Sequence, residues 1–203
     1  MKALSVICAR LRVLRINRTL ASAVVLFASA FAACAQSGSM SPYQGERDGV
    51  SAGGKWMMFE ADDKMTGAKK VRFELLANNY FREDPDYKPR INLFCSDGKL
   101  ALADFNPGVR LGGPDRPGFW GQPKMEVMVR IDDFHAHHGW DWERGHFLAM
   151  DKGTTRGLLT AQIFNLEVRT RSGRQIAEFT PAGLDLTRVK QVCGLTPKRP
   201  SHD

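Results

Sequence analysis

Alternation of apolar and polar residues at every second position most constrains how this 203-residue chain can fold. Val71, Phe73 and Leu75 alternate with Arg72 and Glu74, and Met125, Val127 and Val129 alternate with Glu126, Met128 and Arg130. Successive side chains of a strand point to opposite faces, so each run predicts a half-buried strand. Further strands are expected at Trp56 to Glu60, Ile91 to Cys95, Lys99 to Asp104, Phe147 to Met150, Leu166 to Thr170 and Gln175 to Phe179. Turn residues separate them at Ser96-Asp97-Gly98 and Asn106-Pro107-Gly108. Ser172-Gly173, between LEVRTR and RQIAEF, predicts a hairpin. Two pieces read as helical. Leu158 to Phe164 suits a short helix or turn, and Leu184 to Val192 puts Leu186, Val189 and Val192 on one face after Pro181-Ala182-Gly183. About eight short strands with turns roughly every 8 to 12 residues imply a mainly β fold, not alternating β-α units. The expected architecture is an antiparallel two-sheet β-sandwich with a short C-terminal helix.

Residues 1–35 stand apart from this pattern. Lys2, Arg10, Arg12, Arg15 and Arg18, with no acid among them, precede an uncharged apolar run from Leu20 to Ala35. That is the layout of a bacterial signal peptide. The run is short and alanine-rich, whereas a spanning helix needs ~20 strongly apolar residues. Ala33-Cys34-Ala35 fits cleavage by ordinary signal peptidase, leaving a mature chain that starts at Gln36. Phe31-Ala32-Ala33-Cys34 also approximates a lipobox, in which Cys34 is diacylated and tethers the chain to a membrane. Phe31, where an aliphatic residue is usual, favours soluble release. The expected location is periplasmic or secreted, with a lipid anchor as the alternative. Residues 36–54, rich in Gly and Ser, read as a flexible linker. Residues 55–194 form the single domain, and 195–203 a disordered tail.

Removing the leader changes the charge. The whole chain has 29 Lys plus Arg against 22 Asp plus Glu; without the five leader cations 24 basic residues face 22 acidic ones. A near-neutral domain has no electrostatic reason to bind nucleic acid. Of the four cysteines, Cys8 lies in the leader and Cys34 at the cut, which leaves Cys95 and Cys193 in the domain. In an oxidising compartment the simplest reading is one disulfide joining the last helix to the Cys95 strand, the alternative being two buried thiols. Such a bridge is worth ~4 to 5 kcal/mol on the chain-entropy account.

The chemically dense segment is DDFHAHHGWDWERGH, from Asp132 to His146, which holds four of the five histidines. In an extended segment His135 and His137 face the same way, and imidazole with carboxylate suits zinc, copper or nickel. Gly139 and Gly145 and the absence of an established ligand motif favour instead a solvated loop whose tryptophans pack over the sheet edge. No cofactor is therefore expected; the alternative is a metal-binding protein or metal-dependent enzyme with zinc or copper held by His135, His137, His138 and His146. No G-x-S-x-G elbow is present. Asp62-Asp63 and Asp132-Asp133 are adjacent pairs that on a strand point apart, so they do not flank one bond as paired glycosidase carboxylates must. The Gly/Pro-rich run from Asn106 to Pro123 lacks the Lys-Ser/Thr pair of a phosphate loop. It reads as an exposed loop carrying Phe119 and Trp120, which form either a partner surface or an aromatic pair folded onto the core. Phe119, Trp120, Trp140 and Trp142 make up the expected binding surface, and Trp120, Trp140 and Trp142 alone suggest a carbohydrate-stacking reading.

The order of Trp56, the strand Lys69 to Asn78, INLFCSDGKLAL, MEVMVRID and the closing LEVRTRSGRQIAEFTPAGLDLTRVKQVC resembles a broad family of exported proteobacterial domains. That family includes the VasI/TagO-like accessory proteins of type VI secretion. Phe179, Gly183 and Cys193 carry the most specific part of the likeness, which spans Trp56 to Cys193. The resemblance implies a disulfide-bonded sandwich without catalysis. The 106–123 loop and the histidine segment depart from it. The resulting expectation is a non-enzymatic accessory or binding module of the cell envelope, with an envelope protein as partner, no nucleic acid, and membrane contact only through Cys34.

Overall fold

The structure is a computed structural model and describes residues 43–117, 121 and 123–198. The leader, Cys34, residues 36–42, Phe119, Trp120 and residues 199–203 lie outside the described residues.

Among the described residues eleven strands and two helices follow one another. The first half holds β1 (Val50–Ser51), β2 (Trp56–Asp62), β3 (Lys69–Leu76), β4 (Arg90–Ser96) and β5 (Lys99–Asn106). The second holds β6 (Arg116–Pro117), β7 (Pro123–Ile131), β8 (Phe134–Glu143), β9 (Phe147–Ala149), α1 (Lys152–Leu158), β10 (Phe164–Thr170), β11 (Gly173–Phe179) and α2 (Leu186–Cys193). The sheet order is β1-β2-β3-β4-β5-β9-β8-β7-β10-β11, with β6 against β7, and the pairings are antiparallel.

The mainly β, antiparallel architecture with a short C-terminal helix is the expected one. Its two layers, however, are halves of one continuous hydrogen-bonded sheet and not separate sheets. The join is short: β9 meets β5 only at Asp104↔Ala149 and Phe105↔Leu148. Opposite it, the Asn78 N–H donates to the Glu178 carbonyl at 2.7 Å, and the Trp56 indole N–H donates to the Pro181 carbonyl at 2.8 Å. Between the halves lies one core, with Trp56, Phe73, Leu93 and Phe105 from the first and Val127, Trp140, Leu166 and Phe179 from the second. The Phe105, Phe179 and Phe164 rings meet at centroid distances of 6.3 and 6.0 Å. Burying such side chains is the main favourable term in folding.

Local chemistry sets the turns. Between β4 and β5, Asp97 and Gly98 both have positive φ, 51° and 72°, the combination that matches strand twist in a two-residue hairpin. The expected hairpin closes β10 on β11, but with Thr170 opposite Gly173 its two turn residues are Arg171 and Ser172, one position earlier than Ser172-Gly173. Asp185 caps α2 by accepting from Arg188 N–H, and Gly194 ends it at φ 61°.

Four expectations change. The Asp132–His146 segment is not a solvated loop, because Phe134–Glu143 forms β8, paired with β7 from Ile131↔Phe134 to Lys124↔Asp141. Phe134, Ala136, His138 and Trp140 lie opposite the inward β7 residues Ile131, Val129, Val127 and Met125. A small residue and a histidine in that inward set hid the alternation. The helix expected at Leu158 to Phe164 instead precedes Leu159: the Asp151 side chain accepts from Thr154 N–H and starts α1 there, and Phe164 opens β10. The described part of the expected linker is packed onto the domain. Val50 and Ser51 pair with β2, Ala52 is buried, and Tyr43 stands edge-on to Phe94 at 5.4 Å. Beyond Gly194, Leu195 is also buried.

Candidate functional site

β8 separates the histidines that the sequence places together. His135 and His137 lie on the outer face, His138 on the inner, and His146 in the turn before β9. His138 Nδ1 lies 3.1 Å from Asp151 Oδ2 and 3.3 Å from the Thr154 hydroxyl. The hydroxyl donates to the same carboxylate oxygen at 2.7 Å, and the Trp140 indole N–H donates to it at 2.9 Å. Burial raises the Asp151 carboxyl, but the Thr154 hydroxyl, its main-chain N–H and the Trp140 N–H outweigh that and hold it below the ordinary range. Threonine, histidine and aspartate are the residue types of a nucleophilic relay. Here both short imidazole contacts use Nδ1 and the threonine proton points to the carboxylate, so the trio caps a helix. His137 lies 3.8 Å from Glu126 with both side chains exposed. Partial burial, with Arg110 nearby, lowers the His146 pKa. Among the described residues no three His, Cys, Asp or Glu side chains are grouped to hold a metal ion.

The tryptophans correct the expected surface. Trp140 is 1% exposed and belongs to the core; Trp142 is half-buried and donates to the Gly112 carbonyl at 2.9 Å. Neither is a free stacking platform. The 106–123 loop and the histidine segment meet, since Leu111 N–H donates to the Gly145 carbonyl at 3.0 Å. Leu111 is buried, and Arg169 donates to Asp115 at 2.8 Å and to the Gly113 carbonyl at 2.6 Å. The described part of the loop is thus tied onto the end of the sheet.

A polar cluster that the sequence reading missed lies on the outer face of β3, β4 and β5. Arg72, 5% exposed, donates to both Glu46 oxygens at 2.8 and 2.7 Å, to Glu74 at 2.7 Å and to Asn92 at 3.0 Å. Arg90 reaches Glu74 at 3.0 Å while its guanidinium lies 4.3 Å from the Tyr87 ring centre. Asn92 donates to Asp104 Oδ1 at 2.8 Å. Asp104 is wholly buried, and its Oδ2 has no hydrogen-bond partner among the described residues. Burial drives its pKa up to about 7 against the opposing effects of the Asn92 bond and of Arg72 and Arg90. Polar residues within apolar runs, Asn92 in INLFC and Asp104 in ALADF, were the available signal. Glu46, which closes on Arg72, comes from outside the domain bounds drawn on sequence.

The disulfide joins β4 to α2 through Cys95 and Cys193, 98 positions apart. Two grooves flank it. One, of about 640 Å³, lies between the β2–β3 end, the β4–β5 turn and α2, where Arg47, Lys69, Lys70 and Arg188 face Glu60, Asp62 and Asp97. Much of that charge is internally matched, as in Arg188–Glu60 at 3.4 Å and Arg47–Asp62 at 2.5 Å. The other, of about 350 Å³, follows β5 past Met150 to Leu195. Among the described residues no helix is long and apolar enough to cross a membrane.

Fold and grooves define a disulfide-stapled antiparallel β domain with open, shallow clefts. Comparison of the chain with protein-family models, curated proteins and solved structures finds no match.

Proposed function

We propose that this chain is an exported, non-enzymatic accessory or binding module of the bacterial cell envelope, working in the periplasm or outside the cell. The observation that carries the reading is the Cys95–Cys193 bond, a device of oxidising compartments. The sequence of residues 1–35 supports the same compartment. The Thr154–His138–Asp151 trio serves a helix cap, and the Arg72 cluster is engaged internally; both arrangements suit a scaffold for binding. The likeness to VasI/TagO-like domains makes a type VI secretion accessory the specific form of the proposal.

The full chain, expressed in a bacterium with its own leader, is the material for the test. The soluble periplasmic fraction is expected to hold a product that starts at Gln36, with a mass lower by two hydrogens than the reduced form. A diacylated chain starting at Cys34 in the membrane fraction would establish the anchored variant. An unprocessed cytosolic chain with both thiols open to alkylation sinks the proposal. Cross-linking in intact envelopes is expected to return a defined envelope protein, and a chain that cross-links to nothing at native abundance refutes the binding role.

A further inference from the structure

The edges of a sheet are where a further strand can add, and here most of the edge is covered. The outer side of β2 is met by β1 and by Arg47 N–H on the Glu60 carbonyl at 2.8 Å. The outer side of β11 is met by Asn78 N–H on the Glu178 carbonyl and by the Asn79 side chain on the Ile176 carbonyl, at 2.7 and 2.8 Å. β5 differs. After β9 pairs with Asp104 and Phe105, Met150 N–H makes one more bond, to the Ala103 carbonyl at 2.8 Å. The chain then turns at Asp151 into α1, so Lys99–Leu102 has a strand partner on the β4 side alone among the described residues.

Beside this open stretch runs the 350 Å³ groove. Leu100, Leu102, Met150 and Leu195 give it apolar walls, and the disulfide fixes the Gly194–Leu195 wall against β4. Lys99 and Lys152 line it, and no acidic side chain does. Both lysines are exposed, and neither has an ion pair or side-chain hydrogen bond among the described residues. Asp151, the neighbour of Lys152, is engaged by Trp140 and Thr154.

We infer that β5 receives an extended peptide segment of a partner as an added strand, with apolar side chains in the groove and carboxylates at Lys99 and Lys152. Alternate side chains of an added strand face one way, so apolar and acidic residues at successive positions satisfy groove and lysines together. A second copy is a poor occupant, because its lysines would meet these. The bulge at Ala101, where the register shifts between Phe94 and Cys95, further limits pairing to a short strand. The inference rests on the binding-module reading and supplies its ligand class.

The test uses the mature, disulfide-bonded chain and two fluorescein-labelled peptides, Ser-(Val-Glu)3-Ser and Ser-(Val-Lys)3-Ser. Saturable binding is expected for the glutamate peptide and at least tenfold weaker binding for the lysine peptide. Amide exchange should slow at residues 99–103 in the complex. The double variant Lys99→Glu with Lys152→Glu, checked by its melting temperature, should lose the glutamate peptide at least tenfold and gain the lysine peptide. No saturable binding, equal binding of both peptides, indifference to the double reversal, or protection confined to another surface each overturns the inference. Export and thiol state are read separately, so a failed groove with a processed, oxidised periplasmic chain leaves the envelope reading standing. A cytosolic reduced chain removes that reading whatever the peptides do.

Discussion

Asp104→Asn isolates the buried carboxyl from every other titrating group. Asn92 keeps an amide oxygen to donate to, in place of the carboxyl Oδ1 it bonds at 2.8 Å, so the shape of the site is retained. In the folded chain Asp104 titrates near 7, against 3.8 for the free side chain. Below the lower value both states hold the proton and Asp104 carries no penalty. As pH rises the unfolded chain releases its proton while the folded chain keeps it, so stability falls through that window and levels off above the folded value. A gap of about 3 units corresponds to roughly 4 kcal/mol. Relative to wild type, Asp104→Asn should therefore gain up to roughly 4 kcal/mol between pH 4 and pH 7.5. The amide that replaces the partnerless Oδ2 carries a pH-independent cost, so the change of the difference with pH is the quantity to read. Urea unfolding followed by tryptophan fluorescence at four pH values across that span measures it. Parallel curves for the two proteins would refute the buried-proton reasoning.

Replacing Cys95 and Cys193 by serine reopens a separation of 98 residues and should cost ~4 to 5 kcal/mol in urea unfolding; a loss below about 1 kcal/mol would contradict the stapling role. Arg72→Met leaves the Glu46 and Glu74 carboxylates, whose side chains are 9% and 11% exposed, without their main cation. A loss of about 3 to 5 kcal/mol at neutral pH is expected from chemical denaturation, and an unchanged midpoint would show that the cluster is solvated. Zinc or copper titrated calorimetrically into tag-free mature protein should give no stoichiometric heat at pH 7.5. A one-to-one isotherm abolished by His135→Ala would restore the metal-binding alternative.

How far the sequence could be read depended on what each strand faces. β3 and β7 bury large apolar residues on one side and carry charge on the other, and they lie where alternation puts them. β8 went unrecognised because histidines and a glycine occupy its faces, so that partnership with β7, and not its own composition, makes it a strand. Asn92 and Asp104 stand out as polar residues within apolar runs, but nothing local indicates that their face is covered. The open stretch of β5 reads like any paired strand until the reach of β9 is known.

The sequence by itself determined the strand-rich class, most strand positions, the two hairpin turns and the capped closing helix, because pleat, turn conformation and helix caps are settled by residues near one another in the chain. The tertiary structure alone decided that the two layers are one sheet, that Glu46 closes on the buried Arg72, and that β5 keeps a side bare among the described residues next to two lysines. Each of these depends on segments distant in sequence meeting across a shared core, and no local period encodes where a short strand such as β9 stops.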